Sequence, residues 1–233
     1  MNSMEMKYRK FVLFLLLISF AAIGVVAQEA KYPPLSEFLM PQDAEIALAK
    51  SAAPDNISAK ATIKVLTTTG FQIVHEGENR FVCMVMRGSA APTFTPSQIR
   101  DLVYDAKLRA PICFNPQASE TVMHYYELRN KLAMEGKTPD EITQGIQAAY
   151  SKGELPKRDG VSFAYMWSAD QNLGSFGHWH PHMMVFCPYY ENSMLGDNPL
   201  GTPQLPIVSD DAGTPFAVVL IPVDDKLAIK ARP

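Results

Sequence analysis

The spacing of apolar residues changes twice along this chain, and that change constrains its fold more than any other feature. Between Asn115 and Gly153 apolar side chains recur every three or four positions: Ala118, Val122, Tyr125 and Leu132, then Ile142, Ile146, Ala149 and Tyr150. Such stripes belong to helices with one buried face. On either side the period drops to two or the apolar run is unbroken, as in strands. Strands, then helices, then strands again make an α+β domain.

Local signals place the elements. Asn115 reads as a helix N-cap with Pro116 as first helical residue, and Gly136 ends that helix. Thr138 and Glu141 stand at capping-box spacing, with Pro139 between them opening the next. A shorter helix is expected over Met40 to Pro54, with Asp43 and Glu45 at the positive end of its dipole and Pro54 as its stop. One more helical stretch is expected between Pro96 and Leu108.

Three strands precede the helices: "ATIKVLT" (61–67), "FQIVHE" (71–76) and "RFVCMVM" (80–86). The breaks "TTG" and "EGEN" suit hairpin turns, so these three are read as a meander, the third most buried. Three more follow: "VSFAYMWS" (161–168), with Val161, Phe163, Tyr165 and Trp167 on one face, then "HMMVFC" (182–187) and "PFAVVLIPV" (215–223). A long loop from Pro188 to Pro215 separates the last two. The expected fold is a mainly antiparallel sheet of about six strands, three before and three after the helical segment, with helices on one face. The order resembles that of PAS and Cache sensor domains in topology, without any motif of those families.

The N-terminus reads as an export signal. Lys7, Arg9 and Lys10 precede the apolar run Phe11 to Val26, and "VVA" offers small residues for cleavage after Ala27. The apolar run is short of the roughly 18 residues of a spanning helix, which disfavours the alternative of an uncleaved anchor. The reading is therefore a signal peptide over 1–27 and one globular domain over 28–233, periplasmic or secreted. The whole chain carries a net charge of −3; losing Lys7, Arg9, Lys10 and Glu5 makes it −5. A mildly acidic chain without Lys/Arg clusters is not expected to bind nucleic acid, nor to stay in a membrane once cleaved.

Three cysteines, Cys83, Cys113 and Cys187, allow three pairings in an oxidising compartment. Cys83–Cys113 is preferred, because Cys187 reads as strand packing.

The segment "GSFGHWHPHMMVFCPYY" (174–190) holds three of the five histidines. On extended chain His178, His180 and His182 share a face with Met184 and Phe186, a polar rim running into an apolar floor. Histidines two apart on a strand lie about 7 Å apart at the backbone and their rings can converge on one ion, but the outer two are about 13 Å apart. Pro181 and the glycines before His178 supply a bend. Zinc, copper or iron is the expected metal, held by His178, His180 and His182, with Trp179 and His75 as ligand contacts; His124 and Glu191 are weaker candidates. Neither a zinc-protease helix, a nucleophile elbow nor a phosphate loop occurs. The expected function is an exported protein with a metal- or ligand-binding pocket at this segment, as a metal-dependent enzyme in one form. The alternatives are a non-enzymatic small-molecule binding or sensing module, or an envelope structural protein.

Overall fold

Among the described residues eight strands make one sheet in the order β2-β1-β3-β4-β5-β6-β8-β7. The strands are β1 (Thr62–Thr67), β2 (Gly70–His75), β3 (Val82–Met86), β4 (Ala110–Phe114), β5 (Ser162–Met166), β6 (His182–Phe186), β7 (Ile207–Asp210) and β8 (Val218–Pro222). The structure, a computed structural model, describes residues 32–92, 94, 100–158, 162–174, 177–198 and 205–232, with backbone alone for Ser209 and Asp210. The expected signal peptide over 1–27 lies outside these residues. From Lys31 onward the chain forms one compact unit. Among the described residues no helix is long and apolar enough to cross a membrane.

Every strand pair is antiparallel except β1 and β3, which run parallel through Thr62↔Val82 and Ile63↔Cys83. The expected meander is therefore corrected: β3 returns beside β1, not β2. Gly77 makes this crossing possible. A Cβ there would stand 2.2 Å from the Thr62 nitrogen, and Glu78 N–H bonds the Lys60 carbonyl at 2.8 Å. Only a residue without a side chain lets the chain pass so close under the start of β1.

Among the described residues five whole α-helices accompany the sheet: α1 (Gln42–Lys50), α2 (Asp55–Ser58), α3 (Pro116–Glu120), α4 (Val122–Met134) and α5 (Pro139–Ser151). They lie on both faces, where one was expected. Along β3 the side chains alternate between two cores. Met84 and Met86 join Ile112, Phe114, Ala164, Met184 and Phe186 with residues of α3, α4 and α5. Cys83 and Val85 join Ile63, Cys113 and the α1 residues Leu48 and Ala49. Small residues at Ala49, Ala52 and Ala53 let this N-terminal layer sit tightly on the second face.

A buried ion pair fixes α1 to the sheet. Glu45 and Arg87 meet at 2.7 Å, both nearly inaccessible, with Glu45 Oε1 accepting the Leu66 N–H and Arg87 Nε donating to the Phe38 carbonyl. Beneath the same helix Cys83 and Cys113, directly opposite on β3 and β4, form a disulfide, and Cys187 is free.

Two strands exceed the expected six. β4 was hidden by Pro111, which usually argues against an interior strand. Here the ladder with β5 covers only Cys113 and Phe114, so Pro111 lies beside an unladdered stretch. β7 sits inside the expected loop Pro188 to Pro215. Of the helical stretch expected between Pro96 and Leu108, residues 96–99 lie outside the described residues; Arg100 is helical and Asp101–Tyr104 form a 3-10 turn. The long helix expected from Asn115 breaks at Thr121, whose hydroxyl donates to the Gln117 carbonyl and whose backbone leaves the helical region.

Candidate functional site

The histidine segment is the second half of the β5–β6 connection, and three anchors shape it. Asn172 and Arg109 exchange backbone hydrogen bonds at 2.7 and 2.8 Å, tying the connection to the chain before β4. Gly174, in the left-handed region, closes a turn with Gly177; a Cβ on it would lie 2.1 Å from Asp105 Oδ2. The buried Gln171 donates from Nε2 to the Trp179 carbonyl at 2.7 Å. Beyond these, Pro181 accepts the Val223 N–H and the chain enters β6 at His182.

The three histidines consequently go three ways. His178 is exposed. His180 turns toward the 3-10 turn Asp225–Leu227 after β8, and its Nδ1 stands 2.6 Å from Asp225 Oδ1. That turn is itself capped by Asp224, whose carboxylate accepts the Lys226 N–H. His182 is buried on the main-core face beside Met166 and Pro222, its Nδ1 2.7 Å from the His180 carbonyl and its ring edge-on to Trp179 at 4.7 Å between centroids. Facing a carbonyl, Nδ1 carries the hydrogen. Burial lowers the His182 pKa to about 4, against the opposing pull of that carbonyl. At neutral pH its imidazole is uncharged.

The shared face expected for His178, His180 and His182 is therefore corrected. Extended strand geometry begins only at His182, so the alternation argument fails for the two residues before Pro181. Among the described residues no three His, Cys, Asp or Glu side chains are grouped as a metal centre requires. His75 does not reach the segment either. It ends the edge strand β2, five strands from β6, roughly 24 Å at usual strand spacing. His124 lies on α4 with Nδ1 3.5 Å from Glu127 Oε2, and Glu191 follows the opposite end of β6. Trp179 does stand at the site, beside His180 and His182.

Comparison with protein-family models, curated proteins and solved structures found no match.

What the geometry adds is Asp225. A carboxylate facing Nδ1 orients an imidazole and leaves Nε2 for other work: accepting a proton, accepting a hydrogen bond or ligating a metal. The sequence carries no signal for this pairing, because 45 residues separate the partners. Gln171 was missed for the same reason; its Oε1 is buried and has no hydrogen-bond partner among the described residues. A concave feature lies elsewhere, a cleft of about 500 Å³ between the β1–β2 hairpin and α4, lined by Lys64, Thr67, Phe71, Lys131 and Met134 among others. Lys64 there is ion-paired with Glu127.

Proposed function

We propose that this chain is an exported α+β binding module that takes a small ligand at the Trp179–His180 end of its sheet. The observation that carries this reading is the 2.6 Å contact between His180 Nδ1 and Asp225 Oδ1. Held that way, a part-exposed imidazole offers Nε2 to a ligand O–H or N–H, while the Trp179 ring supplies a flat apolar wall beside it. Export is supported by the basic and apolar N-terminal run and by the Cys83–Cys113 disulfide, since such bonds persist in oxidising compartments.

A metal ion is the second reading, and the same contact favours it, because metal-bound histidines commonly donate their other ring N–H to a carboxylate. His180 and the exposed His178 would be the ligands from this chain, and imidazole donors suit zinc, copper or iron. In that case His182, buried with Nδ1 turned to a carbonyl, holds the segment in place and does not bind the ion.

Elemental analysis of residues 28–233, purified without a histidine tag, separates the two. Near-stoichiometric metal that disappears in His180→Ala selects the metal reading. Metal-free protein whose melting temperature rises with a screened small molecule in wild type, and in neither His180→Ala nor Asp225→Asn, selects the binding module. If replacing His178, His180 and Trp179 together by alanine leaves both metal content and every ligand response unchanged, the site is not functional.

A further inference from the structure

The cleft between the β1–β2 hairpin and α4 has walls that are held in place by polar contacts. Along β1 the side chains alternate, so Ile63 enters the second-face core while Lys64 turns toward α4. Lys64 and Glu127 form an ion pair that links the two walls, with side chains only 14 % and 25 % exposed. At the hairpin turn Gly70 adopts φ 102°, and Thr67 Oγ1 donates to the Gly70 carbonyl at 2.8 Å while accepting the Thr69 N–H at 3.2 Å. The hairpin wall is therefore set before any ligand arrives.

Inside the cleft, polar capacity is left over. Asn130, on α4, is 3 % exposed; its Oδ1 takes the Ser89 hydroxyl at 2.5 Å, and no described group accepts from its Nδ2. Its amide N–H groups are thus left for the cleft that Asn130 lines. A donor on so buried a residue costs stability until something accepts from it. Lys64 spends one N–H on Glu127 and meets no further acceptor among the described residues. Next to these groups, Leu66, Phe71 and Met134 pack in one cluster and give the cleft an apolar wall. Among the described lining residues Lys64 and Lys131 balance Glu127 and Glu135. The volume, about 500 Å³, falls within the roughly 300–1,000 Å³ of small-molecule sites.

We propose that this cleft binds a neutral sugar ring. Balanced walls favour neither an anion nor a cation. Each hydroxyl of a sugar both donates and accepts, which suits an ammonium beside a carboxylate: Lys64 and Asn130 donate, and Glu127 keeps lone pairs that accept. The apolar C–H face of the ring covers Phe71, with Leu66 and Met134 beside it. None of these residues belongs to the Trp179–His180 surface, so either proposal can fail without the other.

The test follows the amide NMR signals of the isotope-labelled mature chain, residues 28–233, as glucose, galactose, mannose or N-acetylglucosamine is added. At least one of these sugars should saturably shift signals from residues 64–71 and 127–135. Lys64→Met with Glu127→Met removes the ion pair as a unit and keeps an apolar stem at both positions, so the fold is retained. That variant should bind the sugar at least about 10-fold more weakly. Asn130→Asp keeps an acceptor for Ser89 but lacks the amide donors, and should lose the response in the same way. If Asn130→Asp does not fold, the double variant decides alone. The absence of a saturable shift with any of the four sugars overturns the proposal, as do shifts confined to other segments or an equal response in the double variant. Shifts at the cleft with leucine and with no sugar overturn the assignment in favour of a zwitterion. Shifts there with acetate alone overturn it in favour of an anion.

Discussion

Acid should weaken this fold through His182, and the size of the effect follows from its burial. The unfolded imidazole titrates near its ordinary value of 6.5, whereas in the fold its pKa is lowered to about 4. Between these values the unfolded chain binds a proton that the native chain refuses, so stability falls as pH falls. The contribution is complete above about pH 6.5, and the loss amounts to about 2 kcal/mol at pH 5 and approaches about 3 kcal/mol near pH 4. His182→Asn is the informative variant, since its amide N–H can take the place of Nδ1–H facing the His180 carbonyl while nothing in the side chain titrates. At about pH 7.5 it should be less stable than wild type by about 1–3 kcal/mol, from lost packing on Trp179. Urea unfolding at a series of pH values should then show the gap closing toward about pH 5, because only wild type carries the histidine penalty. Other titrating groups are common to both proteins and cancel in the difference. A gap that stays constant from neutral pH down to about pH 4.5 would refute the argument and mean that His182 accepts its proton inside the fold.

Three more outcomes test the frame around the site. Glu45→Gln should cost about 3–5 kcal/mol by urea unfolding, because Arg87 then keeps a buried charge with no counter-ion, while Glu45→Met with Arg87→Met should cost less than the single change. Removing the Cys83–Cys113 bond as a double alanine variant should cost about 3–4 kcal/mol for a loop spanning 30 residues, and thiol titration of unfolded protein should find one thiol before reduction and three after. Gly77→Ala should cost about 2 kcal/mol or more, since the added methyl meets the backbone of Ala61 and Thr62; a neutral effect would mean that the chain crosses under β1 at a greater distance.

Fold class was legible because periodicity reports burial, and burial is what decides element type. The capping box at Thr138 and Glu141 and the N-cap at Asn115 form as read; Asn115 Oδ1 accepts both the Ala118 and the Phe163 N–H, so one side chain starts α3 and ties it to β5. Sheet order was not legible. Whether β3 lies beside β2 or crosses to β1 depends on a close approach at Gly77, which no local pattern announces. The face on which α1 packs was equally hidden, because the small residues that let it sit tightly, Ala49, Ala52 and Ala53, carry no direction. Along β5 the shared face of Phe163 and Tyr165 is the half-buried one, while Ser162, Ala164 and Met166 are buried, a choice of face that alternation alone does not make.

The site shows the same limit more sharply. Spacing of two between histidines implies a shared face only while the chain is extended, and here extension starts at His182, after Pro181. What replaces the shared face is a division of labour set by contacts distant in sequence. Asp225 arrives from beyond β8 to orient His180, and Gln171 arrives from the start of the connection to hold the Trp179 carbonyl. His182 then packs as an uncharged, buried support beside Trp179, so the position of the Trp179–His180 pair proposed to face a ligand depends on the one histidine that is buried. Protonating His182 at low pH therefore does more than lower stability. It places a charge beneath Trp179 and against the core, so a ligand held by Trp179 and His180 should be released over the same range in which His182→Asn still retains it, and calorimetric titration of the two proteins at falling pH would separate that loss from any titration of the ligand itself.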